Sequence, residues 1–269
     1  MRLLALIALI PLALSAQDAR EIVRRAVQLD QRNAELERNY THLERQEVRM
    51  LDGSGKVKSK ESKTFDLTWL EGSPYRKLVA RNDQPLSRTE QQKESDKENR
   101  ELELRRKQTK EEREQRLIAW QQRQQKRREP FKELPDAFDF RISGEESMNG
   151  RPAYVIDATP KPGYKPKLAS ASYFPKIKGR LWIDKESYQP VRVDLETLDT
   201  ISFAGFLVRL SKGTHLTVEM ALVNNETWFP KRAVLHGSLR VLFVKGYRGD
   251  IDYTFSDYRK FSAESRVVQ

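Results

Sequence analysis

The side chains that could do chemistry in this 269-residue chain are three histidines and the carboxylates Asp184 and Glu186, and there is no cysteine. His42, His215 and His236 lie far apart in sequence, each in or beside an alternating run, with no partner at metal-ligand or triad spacing. Asp184 and Glu186 are two apart, and carboxylates so close could share acid and base roles. They belong to Asp184-Lys185-Glu186-Ser187, a polar run between two apolar ones, which has the composition of a solvated turn. No glycine-rich phosphate loop, nucleophile elbow or zinc signature is present. The sequence therefore predicts no enzyme, no catalytic residue, no metal and no cofactor.

The elements around that turn explain its composition. Leu181, Trp182 and Ile183 lead into it, and Val191, Val193 and Leu195 alternate with Arg192, Asp194 and Glu196 after it. Two antiparallel strands with one apolar and one wet face give this pattern. Similar alternation predicts strands over Leu43–Leu51, Thr64–Leu70, Tyr75–Arg81, Phe138–Ser143, Ala153–Thr159, Phe203–Leu210, His215–Val223, Lys231–Val244 and Asp250–Tyr258. Asp52-Gly53-Ser54-Gly55, Gly72-Ser73-Pro74 and Asn149-Gly150 supply turns. Short polar connections between successive strands imply a meander, and about ten to eleven strands imply one large curved sheet. An N-terminal helix over Asp18–Asn39, with Ile22, Val23, Ala26, Val27 and Leu29 on one stripe, can cover part of its apolar face.

Composition changes between Ser87 and Glu129. Arg88 to Glu129 holds fourteen Lys or Arg and ten Asp or Glu, with almost no apolar residues beyond Leu102, Leu104, Leu117, Ile118, Ala119 and Trp120. Ser87-Arg88-Thr89-Glu90 and Thr109-Lys110-Glu111-Glu112 both fit a capping box, in which hydroxyl and glutamate satisfy free backbone N–H groups reciprocally. Opposite charges four apart, such as Glu101 with Arg105 and Glu112 with Arg116, support helix. Two helices, Ser87–Lys107 and Thr109–Arg128, stopped by Pro130, are predicted as an inserted, projecting arm whose small apolar cluster touches the sheet.

Met1 to Ala16 reads as an export signal: Arg2, the apolar run Leu3–Leu14, then small residues before a cut near Ala16/Gln17. Its removal leaves a soluble, exported chain without disulfides, its net charge one below the +11 of the full sequence. Such an excess favours anionic partners, and export makes nucleic acid the least suitable.

Gly179-Arg180-Leu181-Trp182-Ile183-Asp184 turning into Tyr188-Gln189-Pro190-Val191-Arg192-Val193-Asp194 resembles a hairpin of the LolA/LolB-like periplasmic lipoprotein and lipid carriers. Thr227-Trp228-Phe229-Pro230-Lys231-Arg232 and Phe255-Ser256-Asp257-Tyr258-Arg259-Lys260-Phe261 are similar to two of that family's later strands, and the likeness covers Phe138 to Phe261 best. It implies an α+β, mainly antiparallel fold: an unclosed β-barrel over helices, one domain over residues 17–269, with the 87–129 insertion that the short carriers lack. It implies a periplasmic carrier or sensor of lipid or lipoprotein acyl chains, acting in outer-membrane transport. Phe65, Leu67, Trp69, Trp182, Val191, Val193, Leu195, Leu216, Val218, Met220, Leu235, Leu239 and Val241 are the expected apolar lining. The alternative is an envelope-stress or assembly regulator of the RseB type. Residues 87–129 would then dock on an inner- or outer-membrane protein; an anionic membrane surface is the other partner expected for them.

Overall fold

The computed structural model describes residues 11–203, 208–241 and 247–260; at 11–17, 31–32, 34–35, 203, 208, 239–241 and 247 the description is of the backbone alone. Turn chemistry sets the course of the strands. β1 (Tyr40–Leu51), β2 (Val57–Leu70), β3 (Ser73–Arg81) and the two-residue β4 (Gln84–Pro85) form a first meander. Glu71 and Gly72, then Asn82 and Asp83, hold positive φ at both centres of two-residue turns, the geometry whose twist matches paired antiparallel strands. β5 (Phe138–Met148), β6 (Arg151–Pro160), β7 (Ile177–Asp184) and β8 (Pro190–Thr197) form a second, with Asn149-Gly150 turning in the same way. After the short β9 (Ile201–Phe203) and β10 (Val208–Leu210), a third follows: β11 (His215–Val223), β12 (Thr227–Val241) and β13 (Tyr247–Lys260).

Long-range pairing joins the meanders. β8 pairs with β11 and β13 pairs with β1, giving the order β4-β3-β2-β1-β13-β12-β11-β8-β7-β6-β5, antiparallel throughout. The first and last strands of the described residues are thus neighbours, paired from Tyr40↔Lys260 to Met50↔Gly249 with one register shift between Thr41 and Leu43. β4 and β5 are the free edges, so the sheet is an open half-barrel. Both edges resist further pairing. β4 is two residues long and includes Pro85, which has no N–H to donate, while β5 has a bulge at Ser143 and exposes Glu145 and Glu146.

One strand expectation fails. Phe203–Leu210 is not a continuous strand: Phe203 pairs with Val208 and Ile201 with Leu210, so the chain doubles back. Strand β10 then joins β12 through Val208↔Val241. Gly179 has a definite role beside Leu195, where a Cβ would lie 2.6 Å from Leu195 Cδ2 and 2.8 Å from the Asp194 carbonyl oxygen. Its absence lets the β8 side chain lie across β7.

Helix α1 (Pro11–Leu36) runs without a break past Ala16 and Gln17; residues 1–10 of the expected export signal lie outside the described residues. Ala19, Ile22, Val23 and Ala26 are its buried stripe, packed on Phe138, Phe140, Ile156 and Ile183. Burying an Ile or Val side chain stabilises by about 1.5–3 kcal/mol, enough to hold this helix on the sheet. Between the two edges lie α2 (Arg88–Lys107) and α3 (Lys110–Arg128), both with complete capping boxes at Ser87/Glu90 and Thr109/Glu112. A short α4 (Leu134–Ala137) leads into β5.

Candidate functional site

Register identifies the side chains that share a face with α1. Ile156↔Leu181, Leu181↔Val193, Val193↔Val218, Leu195↔Leu216, Leu216↔Leu235, Leu235↔Ile251, Phe255↔Glu44 and Glu44↔Phe65 run across the sheet on one side. Helix α1 covers the β5–β8 part, where Phe138, Phe140, Ile156 and Ile183 are buried and Leu195 joins the cluster. Beyond it, Phe65, Leu67, Val193, Leu216, Val218 and Leu235 are only half-buried. Trp69 is buried at the far end. Its Nε1 donates to the Tyr40 carbonyl at 3.0 Å, and its ring meets Trp120 edge-on at 5.2 Å.

Three residues of the expected lining lie elsewhere. Trp182 pairs with Arg192 and Ile183 with Pro190, so Val191 is a bulge residue and strict alternation ends there. Val191 and Trp182 are buried with Ala153, Val155 and Trp228 in a second cluster on the opposite face, and Met220 packs against that cluster too. The side chains of Leu239 and Val241 lie outside the described residues. The α1 face is also not wholly apolar. Arg76 stacks over Phe65 at 3.8 Å and pairs with Glu44, while Gln46 donates to the Tyr253 hydroxyl at 3.0 Å.

Enclosed space is distributed differently from expectation. On the α1 face a cavity of about 70 Å³ lies among Val48, Met50, Leu235 and Ile251, well below the ~300–1,000 Å³ of ligand pockets. A broad depression of about 670 Å³, open to solvent, lies on the opposite, polar face. Its walls are cross-strand ion pairs: Arg180 Nε to Asp157 at 2.7 Å, Arg141 to Asp157 at 3.1 Å and Lys178 to Glu196 at 2.8 Å. Beyond α1 the apolar side chains of that face are half-buried, an open trough rather than an enclosed cavity.

The titratable groups have structural settings. His42 is buried against the Phe255 and Tyr258 rings, and burial pushes it down to about 4, so it is neutral near pH 7. Asp184 is fully buried rather than solvated. It accepts from Arg151 Nε at 2.8 Å and Nη2 at 3.0 Å, and from the Ser187 N–H at 2.7 Å. Glu186 reaches the same arginine at 2.7 Å from an exposed position. Among the described residues no group of His, Asp and Glu is arranged to hold a metal.

The helical pair is held by arginines that the sequence offered only as partners of Glu101 and Glu112 within the helices. Buried Arg105 donates through Nη1 to the Leu70 and Ser73 carbonyls at 2.8 and 3.0 Å and to Ser73 Oγ at 2.9 Å. Arg116 Nη2 reaches the Glu71 carbonyl at 2.8 Å. Both therefore clamp the β2–β3 turn, where a Cβ on Gly72 would meet Leu117 at 3.3 Å. Lys77, on the polar side of β3, bonds Glu98 of α2 at 2.7 Å, while Trp120 of α3 reaches Trp69 on the other side. The pair straddles the sheet's rim. Of the expected apolar contacts, Leu104 is instead 64% exposed and Ile118 43% exposed. Among carbonyls left free by a tight turn, guanidinium donors fit better than methyl groups.

No protein-family model and no curated protein matches the sequence. Solved structures with a similar chain course exist. A candidate outer membrane lipoprotein-sorting protein domain from Vibrio parahaemolyticus gives a TM-score of 0.36 at 11% identity, over 92% of this chain and 94% of that one. A LolA superfamily protein from Nitrosomonas europaea gives 0.29 at 11%, over 93% and 97%. The MucA/MucB complex of Pseudomonas aeruginosa gives 0.25 at 12%, over 91% and 100%. The open half-barrel rests on the strand order above.

Proposed function

We propose that this protein is an exported, non-enzymatic binder of lipid or lipoprotein acyl chains, acting in the periplasm after removal of residues 1–16. The observation that carries this reading is the uncovered half of the α1 face. Val193, Val218, Leu216 and Leu235 form an apolar strip of half-buried side chains across β8, β11 and β12, and Phe65 and Leu67 lie farther along the same face on β2, with Glu44 and Gln46 of β1 between. An acyl chain lying along this trough gains roughly 0.8 kcal/mol per buried methylene. Native mass spectrometry of protein purified from membranes should show bound lipid. Val193→Glu places a carboxylate in the strip and should weaken a fluorescent fatty acid at least tenfold, whereas Glu196→Gln, on the other face, should leave it unchanged. Lipid-free protein together with equal binding by both variants would refute the proposal.

A regulator of the RseB kind is the second reading. It is favoured by one observation: the arginine-clamped hairpin displays Leu104 and Ile118 to solvent. Replacing both by serine would then abolish binding to a membrane protein's periplasmic segment without changing fatty-acid binding.

A further inference from the structure

The two helices of the hairpin treat charge differently. α2 interleaves seven cations with six anions, and Arg105 pairs with Glu101 one turn back. In α3 the acids stop at Glu114, and Gln115 to Arg128 contains five cations and no anion. Arg116 is committed to the β2–β3 turn, and Arg128 pairs with Asp30 of α1 and with Glu37 just after it, at 3.3 Å each. Arg123, Lys126 and Arg127 remain. All three are exposed and have no ion-pair partner among the described residues. At about 100° per residue they fall within a ~100° arc of the helix. Arg123 and Arg127, four apart, repel each other. The helix dipole favours cations in the last turn but accounts neither for Arg123 nor for exposed Lys132 beyond the helix. Phe131, between Lys132 and the helix end, is 39% exposed.

We propose that the acid-free half of α3, with Phe131 and Lys132, docks on an anionic phospholipid bilayer. The cations form an exposed row of about 15 Å along the end of α3 and the turn after it. An extended anionic plane can meet all of them at once, and an exposed phenylalanine beside cations suits the headgroup boundary. The surface deepens the acyl-binding proposal, on which it rests, by naming where such a carrier would meet its membrane. Fatty-acid binding measured without vesicles keeps the two separable.

The test is co-sedimentation of the full chain with phosphatidylcholine vesicles with and without 30 mol% phosphatidylglycerol. Binding should require the anionic lipid and weaken as salt shortens the Debye length. Each cation near such a surface is worth about a fivefold change in affinity, so Arg123→Gln, Lys126→Gln and Arg127→Gln together should lose on the order of 100-fold. Arg123→Lys with Arg127→Lys should bind as the native chain does, because a lipid surface reads charge. Lys93→Gln, Arg100→Gln and Lys107→Gln on α2 should change binding only a few-fold. Circular dichroism and vesicle-free fatty-acid binding should be unchanged in every variant. Equal binding by the α3 glutamine variant, or equal loss by the α2 variant, would overturn the proposal. So would loss in the all-lysine variant, which would indicate an acidic protein read through guanidinium geometry.

Discussion

Replacing Asp184 by asparagine removes one charge at almost constant volume. The carboxylate accepts two hydrogen bonds from Arg151, at 2.8 and 3.0 Å, and two from Ser187, at 2.7 Å from N–H and 2.6 Å from Oγ. Burial alone would raise its pKa, but these donors outweigh burial and bring it from 3.8 down to about 2. A carboxyl that ionises more readily folded than unfolded stabilises the fold above its unfolded pKa and loses that contribution as pH falls through the folded one. The window here is pH 4 down to 2, and a difference of nearly two units corresponds to roughly 2.5 kcal/mol. Asparagine keeps one acceptor oxygen, yet its NH₂ must face donors on Arg151 or on Ser187. Breaking a buried pair costs about 3–5 kcal/mol, and rehydration of the part-exposed Arg151, which keeps Glu186, brings the expectation to about 2–3 kcal/mol. Urea unfolding at pH 7 and at pH 2.5 measures this. The gap between native and variant proteins should shrink to about 1 kcal/mol or less at the lower pH. A gap below about 0.5 kcal/mol at pH 7, or one constant from pH 7 to 2.5, would refute the reasoning.

His42 makes its own pH prediction: with a folded pKa of about 4 against 6.5 unfolded, its contribution is complete above pH 6.5 and is lost between 6.5 and 4. About 3 kcal/mol should disappear over that range, and His42→Phe should remove the slope from a Tm-against-pH profile. Arg105→Met should free the hairpin at a cost of about 2 kcal/mol, seen as faster amide exchange in residues 88–128 with β1 and β13 still protected. Deleting Ser87 to Glu129 and joining the ends by a short Gly-Ser turn should remove helix but not strand from the circular dichroism spectrum; an unfolded product would show that the hairpin belongs to the core.

Local chemistry was legible in the sequence, and distant pairing was not. Ser87 and Thr109 announce helix starts because a capping box is complete within four residues, and both form. Asn149-Gly150 announces a hairpin because the backbone there must take positive φ twice, as it does. By contrast, the pairing of β1 with β13 joins residues some two hundred apart, and nothing in either strand alone specifies its neighbour. Val191 shows how one local irregularity propagates. Alternation carried back from Val193 puts Val191 on the α1 face, but the bulge beside Pro190 turns it to the other side.

Charge was the least legible feature, because a charged residue does not reveal its partner. Asp184 sits in a run that reads as solvated, and it is buried because Arg151, thirty-three residues earlier, lies across the turn. Arg105 is one of four arginines in α2, and only the fold brings it to the free carbonyls of the β2–β3 turn. The change of composition at Ser87 was nonetheless the most consequential signal. Antiparallel neighbours form most readily across two-residue turns, and the longest connection in the described chain falls between β4 and β5, the two edges that do not pair. A sheet with free edges keeps the uncovered part of its apolar face open, so the charged run that separates those edges in sequence also bears on the trough in space.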